Sequence, residues 1–183
     1  MITLVIGGSC SGKSEYAEQC LDHVPGEKIY LATMIAADEE SLARVRRHRE
    51  KRSGRGFRTI ECPRMSDLAA GDFPPGCNVL LEGIGTLAAN ELFPDGGWQT
   101  AEEDVDAAKR RILTGVKELA SGSNELIIVS DEVNRAGCVW EGDTKRYQRL
   151  VGEVNQELCT LSDTVIEMVC GLAVKRKAPG QRK

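Results

Sequence analysis

The 183-residue chain predicts an α/β domain whose mostly parallel sheet is flanked by helices, and three observations carry that prediction. Short apolar runs recur along the chain. Two long stretches between them place apolar residues at three- and four-residue steps. A glycine-rich loop joins the first apolar run to a helical stretch. Runs that are apolar nearly throughout suit strands buried on both faces, which is the condition of a parallel sheet covered by helices. One domain accounts for this length. The expected division is a domain over 1–175 and a basic tail over 176–183.

Taken in order, the runs expected as strands are Thr3–Ile6, Lys28–Met34, Val79–Glu82, Leu126–Ser130 and Thr164–Val169, with Phe57–Glu61 a further candidate. The stretch "SEYAEQCLDHV" is expected as the first helix. "DEESLARVRRHREKR" follows as a second, its acidic start and basic end suiting the helix macrodipole. Ala101–Ser121 is expected as a helix through Val105, Ala108, Ile112, Val116 and Leu119. Lys145–Ser162 is another, through Tyr147, Leu150, Val151, Val154, Leu158 and Leu161. Gly71–Gly76 and Pro94–Gly97 read as loops from their Pro and Gly content. The end, "KRKAPGQRK", reads as a basic, frayed segment.

Composition narrows the function classes. A net charge of −4 argues against a general nucleic-acid binder, whose footprint is basic. The seven cysteines form no C-x-x-C pair, so a zinc site of ordinary spacing is not expected. Their odd number, with Cys10 inside the glycine loop, fits reduced thiols and a cytoplasmic location. No run approaches the roughly 20 apolar residues of a membrane span.

The loop Gly7, Gly8, Ser9, Cys10, Ser11, Gly12, Lys13, Ser14 matches the G-x-x-x-x-G-K-S pattern of a P-loop without mismatch, between a strand and a helix. Glycines let successive backbone N–H groups converge on an anion, and the helix N-terminus adds partial positive charge. Lys13 is expected to reach the β- and γ-phosphates and Ser14 to ligate Mg²⁺. The fold expectation therefore sharpens to a single-domain, P-loop NTPase-like fold. Such a loop needs an acidic partner for the metal at the end of a neighbouring strand. Glu82 is the favoured candidate by its strand context, and Asp131 and Glu132 are the alternative.

Of the two histidines, His23 follows the first helix and is expected in a capping or surface role. His48 stands among Arg44, Arg46, Arg47, Arg49, Lys51 and Arg52, three residues on from Val45 and six from Leu42. That spacing predicts that it continues a buried stripe. One reading is a solvated basic helix with an incidental histidine. The other is a polyphosphate-holding helix whose neutral imidazole attacks phosphorus. Nearby cations favour the neutral ring by like-charge repulsion.

Several segments together resemble one family, the bifunctional adenosylcobinamide kinases and adenosylcobinamide-phosphate guanylyltransferases of cobalamin biosynthesis. They are "LVIGGSCSGKSEYAE", "YLATMIAADEESLARVRRHREKR", "FRTIECP", "VLLEGIGTLAANELF", "IIVSDEV" and "VGEVNQELCTLSDTVIEMVCGLAVK", which cover nearly the whole chain. The resemblance implies that His48 becomes covalently guanylylated and that Gly7 to Ser14 hold the GTP phosphates. It implies nucleotide contacts at Ala32, Thr33 and Met34 and at Arg49, Glu50, Lys51 and Arg52. It places Glu61 and Glu82 on acidic positions that touch nucleotide or its metal. It further implies Mg²⁺, a phosphoryl donor that is ATP or GTP, adenosylcobinamide and its phosphate as partners, and a homotrimer with sites at subunit boundaries. The chain departs from the family in "DEVNRAGCVWEGDTKRY", where Asp131 replaces Asn, Asn134 replaces Gly and Val139 lies near an expected Pro. It departs again in "EGIGT".

The implied activity is γ-phosphoryl transfer to adenosylcobinamide, then GMP transfer from GTP through guanylyl-histidine to give adenosylcobinamide-GDP. Two other readings share the glycine loop: a P-loop kinase for another small molecule with the basic helix as a lid, and a GTP-binding switch without covalent chemistry. The His48 segment favours the first.

Overall fold

The computed structural model describes residues 1–35, 39–52, 54–68, 73–94, 105–133 and 141–180, except for the side chains of residues 40, 41, 44, 47–49 and 51. Chain order is β1 (Ile2–Gly7), α1 (Lys13–Cys20), β2 (Lys28–Ala32), α2 (Glu39–Arg52), β3 (Phe57–Glu61), a 3-10 turn (Met65–Asp67) and β4 (Cys77–Glu82). Then come α3 (Ile84–Leu92), α4 (Val105–Gly122), β5 (Ser123–Asp131), α5 (Gly142–Leu161), β6 (Thr164–Val169) and β7 (Leu172–Lys177). The strands form one sheet in the order β3-β2-β4-β5-β1-β6-β7, parallel except for β7, which runs antiparallel to β6.

Alternation along the central strands divides the core. Leu4, Leu31, Leu81 and Ile128 bury against α3, α4 and α5 through Leu87, Ile112, Val116, Leu150 and Leu158. Their neighbours Val5, Tyr30, Leu80, Ile127 and Val129 bury on the other face with Ala17 and Leu21 of the α1 segment. The helix-covered parallel sheet is as the apolar runs require.

The expected elements are present, and their limits differ for local reasons. β2 stops at Ala32 rather than Met34, because the Thr33 hydroxyl turns to the carbonyls of Glu82 and Gly83, 2.9 and 3.0 Å away. β4 and β5 start earlier than expected, at Cys77 and Ser123. The expected helix starting at Ala101 begins, among the described residues, at Val105; 101–104 lie outside them, as do 71–72 and 95–97 of the two expected loops.

Two elements escaped the sequence reading. α3 carries Ile84, Leu87, Ala88 and Leu92 inward at helical spacing, but Gly83 and Gly85 disguise its start. The second is β7, which corrects the expectation of a frayed basic end over its first residues. The chain turns at Cys170 and Gly171, both with positive φ, and Lys175–Lys177 belong to a paired edge strand. Arg176 pairs with Glu167 of β6. Lys177 Nζ donates to the carbonyls of Cys159, Thr160 and Ser162 at 3.0, 3.1 and 2.6 Å, closing the C-terminal end of α5. The boundary expected after residue 175 thus falls inside a strand. Among the described residues no helix is long and apolar enough to cross a membrane. Among the described residues Cys10, Cys20, Cys62, Cys77, Cys159 and Cys170 are in no disulfide.

Candidate active site

β1 ends at Gly7, which pairs with Asp131 of β5 on one side and Met168 of β6 on the other. The chain then leaves the sheet and re-enters order as α1 at Lys13. Cys10 at φ 55° and Gly12 at φ 93° take left-handed conformations separated by one residue. Such alternation turns successive N–H groups toward one concavity. Gly12 caps α1 without a side chain, so the helix's first amides are left for a ligand. The loop is braced from outside by the β6–β7 turn, where Gly171 N donates to the Ser11 carbonyl at 3.0 Å. The Ser11 hydroxyl is buried and has no hydrogen-bond partner among the described residues.

Lys13 is buried and folded back over this loop. Its ammonium donates to the Gly8 carbonyl at 2.6 Å and pairs with Asp131 Oδ1 at 2.9 Å. In the first turn of α1, Ser14 Oγ donates to Glu82 Oε1 at 2.5 Å. Glu82 Oε2 is buried and unpartnered among the described residues. Burial pushes the Glu82 carboxyl above its ordinary range; the Ser14 hydrogen bond opposes this, and the charges of Glu18 and Asp131 add to it.

A hydroxyl and an orphaned carboxylate oxygen beside the anion loop are a fitting seat for Mg²⁺. Among the described residues no group of three or more His, Cys, Asp or Glu could hold a metal. A cation at Ser14 and Glu82 would take its remaining ligands from phosphates and water. Glu82, rather than Asp131, is therefore the acid placed against Ser14.

The strand register gathers other expected residues on the same edge of the sheet. Ala32 lies opposite both Glu61 of β3 and Glu82 of β4. This C-terminal edge is where parallel α/β sheets receive ligands. Thr33 is buried, and its carbonyl accepts a hydrogen bond from Asn90 Nδ2 at 2.8 Å. Met34 is half-buried, while Gly8, Ser9, Cys10, Glu50 and Glu61 are exposed.

α2 departs from the expected stripe: Leu42 is 44% exposed and Val45 only half-buried. The helix is held instead at its C-terminal end. Arg52 lies over the Tyr30 ring at 3.4 Å from its centroid and 3.9 Å from Glu18 Oε1. Arg55 donates to Glu18 and Asp22 at 2.5 and 3.0 Å. Arg52 is thus buried, not part of a solvated face, and its Nε and Nη1 have no hydrogen-bond partner among the described residues. The side chains of His48, Arg49 and Lys51 lie outside the described residues, as do Asn134 and Val139.

Sequence reasoning missed the Lys13–Asp131 ion pair and the neighbours that hold Asp131. Asn155 Nδ2 donates to the Asp131 carbonyl at 3.1 Å, and Ser130 Oγ donates to Asn155 Oδ1 at 2.6 Å. The signal was a buried Asn on the apolar face of α5, a position that calls for a polar partner.

Comparison with known proteins agrees with this geometry. The family model described as cobinamide kinase / cobinamide phosphate guanyltransferase matches residues 3–176. The bifunctional adenosylcobalamin biosynthesis protein CobU of Salmonella typhimurium is 36% identical, over 97% of this chain and 100% of its own length. The protein of the same name from Escherichia coli K12 is 33% identical over the same shares. An ATPase of a bacterial type III secretion system superposes with a TM-score of 0.51 at 10% identity, over 96% of this chain and 56% of that one, a likeness of fold. A family match running from β1 into β7, with two relatives above 30% identity over their whole length, leads to one conclusion: the chain belongs to the cobinamide kinase / cobinamide phosphate guanyltransferase family.

Proposed function

We propose that the chain phosphorylates adenosylcobinamide and then transfers GMP to the product through a guanylyl group carried on His48. The observation that supports this best is the cradle itself: an uncapped α1 N-terminus, Lys13, and Ser14 set against an orphaned Glu82 oxygen. In the first half-reaction the amides of Gly8 to Ser14 and the Lys13 ammonium hold the triphosphate of ATP or GTP. They offset charge growing on the β–γ bridging oxygen as the aminopropanol hydroxyl takes the γ-phosphoryl group. Ser14 and Glu82 would hold Mg²⁺ there, and it would supply Lewis-acid stabilisation of the same charge.

In the second half-reaction a neutral imidazole nitrogen of His48 forms a bond to the α-phosphorus of GTP. The bond to the α–β bridging oxygen breaks, and pyrophosphate leaves with the electron pair. A phosphate oxygen of adenosylcobinamide phosphate then attacks the same phosphorus, and the N–P bond breaks to return the imidazole. Splitting the transfer lets one cradle serve both halves in turn. The cations flanking His48 favour its neutral, nucleophilic form. Thr33, Met34, Ala32, Glu61 and the segment Arg49–Arg52 complete the nucleotide contacts in this reading. Ile35 and Leu42, large and exposed beside and on the His48 helix, are consistent with a homotrimer whose sites lie at subunit boundaries. A cytoplasmic location completes the reading.

Incubation with α-labelled GTP and Mg²⁺ tests it. Wild-type protein acquires an acid-labile, alkali-stable label, and His48→Ala, shown to be folded, acquires none. Label of equal amount in His48→Ala overturns the assignment. An unlabelled wild type that still transfers the γ-phosphoryl group returns the chain to the simple-kinase reading.

A further inference from the structure

Asp131 is the one carboxylate that reaches the P-loop lysine among the described residues, 2.9 Å from its ammonium. The strand end that carries it is pinned on two sides. Glu132 N donates to the Gly7 carbonyl at 3.1 Å, and Asn155 holds the Asp131 carbonyl. Its second oxygen, Oδ2, lies over the first turn of α3. A Cβ built on Gly85 would come within 3.3 Å of that oxygen and 2.9 Å of Tyr147 Oη. Only a residue without a side chain leaves both groups room there. The Tyr147 hydroxyl is pushed above its ordinary range by burial first and by the Asp131 charge second, consistent with a carboxylate lodged beside it. The Asp131 side chain is 44% exposed, but the backbone that carries it is fixed beside Lys13.

We infer that Asp131 sets the divalent-cation requirement of nucleotide binding, because it is the counter-ion that phosphate must displace from Lys13 and then remains beside the phosphates. This rests on the glycine loop being the nucleotide cradle. The physical sequence is simple. Asp131 neutralises Lys13, whose other polar contact among the described residues is the Gly8 carbonyl. When a triphosphate takes the ammonium, the carboxylate, carried on a pinned backbone, stays near the loop, and two negative groups face each other across it. A cation bound to the phosphates removes that repulsion; in its absence the repulsion is paid in full. Asp131 acts on affinity through Lys13 and makes no covalent step.

The test is binding, not turnover. Calorimetric titration with α,β-methylene GTP, which His48 cannot cleave, is run on the full chain in EDTA and in Mg²⁺. In EDTA, Asp131→Asn binds about tenfold tighter than wild type, the scale set by removing one like charge near a partly exposed site. In Mg²⁺ the two differ less than about threefold. The EDTA gain shrinks at high salt, as a charge effect must. Asp131→Ser, which also removes the charge but not by an isostere, gives the same direction and keeps the test decisive if one variant folds poorly. Variants that bind no tighter than wild type in EDTA, or that gain equally with and without Mg²⁺, overturn the inference. A wild type that fails to bind in Mg²⁺ overturns the nucleotide reading itself, and this inference with it.

Discussion

Glu82 answers to opposite demands in the empty and the loaded site. Buried beside Glu18 and Asp131, its carboxyl is raised above the ordinary 4.5, so the folded protein binds a proton there more readily than the unfolded chain does. The sign follows from linkage. Where the folded state binds more protons, stability falls as pH rises, from the ordinary carboxylate value up through the raised folded one. Glu82→Gln keeps the shape and the acceptor for Ser14 while removing the charge. It is expected to raise the melting temperature of the ligand-free protein at neutral pH and to flatten this pH dependence. It should also abolish the gain in nucleotide affinity given by Mg²⁺. A lower melting temperature at neutral pH, or an undiminished Mg²⁺ gain, contradicts this account of Glu82. At this scale the sequence was informative where chemistry is local: Lys13 and Ser14 sit in a contiguous pattern, and Glu82 ends an apolar run. The Lys13–Asp131 pair was illegible because it arises from strand order, with β5 laid directly beside β1.

Helices in this fold are fixed by single polar anchors as much as by apolar faces. Glu91 is the anchor of α3. Its Oε2 accepts from Arg111 Nε of α4 at 2.7 Å, and its Oε1 accepts from the backbone N–H of Met65 at 2.9 Å. Glu91→Ala strands the buried amide of Met65 and removes one partner of a partly exposed guanidinium, and is expected to lower unfolding free energy by about 2 kcal/mol, the scale for leaving a buried donor unsatisfied. Denaturant titration checks this; a loss under about 1 kcal/mol contradicts a clamping role. Lys177 is the smaller anchor, on the last carbonyls of α5. Lys177→Ala should cost about 1 kcal/mol, within the range for a cation at a helix C-terminus, and leave nucleotide affinity unchanged. No loss of stability would mean the contact is idle.

α2 follows the same rule with a different outcome, because Arg52 and Arg55 tether one end and leave Leu42 exposed. Periodicity reveals elements that bury a continuous stripe, such as α4 and α5. It failed for β7, whose alternation is broken by charges suited to a sheet edge. For α3, two glycines near the start hid the helical period.

Across the whole molecule, strand order brings the chemistry together. Gly7, Glu61, Glu82 and Asp131 end β1, β3, β4 and β5, and the sheet presents those ends on one edge beside the α1 N-terminus. The parallel architecture was legible from apolar runs, whereas the arrangement of that edge required the order of strands. The helix bearing His48 enters from β2, the strand whose final residue pairs with both Glu61 and Glu82. The central claim is that the cradle delivers the α-phosphorus of GTP to this one histidine. Intact-mass spectrometry after GTP and Mg²⁺ treatment, followed by peptide mapping, tests it most directly. The account predicts one GMP added per chain, on the peptide containing His48. A folded protein that binds GTP and stays unmodified, or carries GMP on another residue, would contradict it.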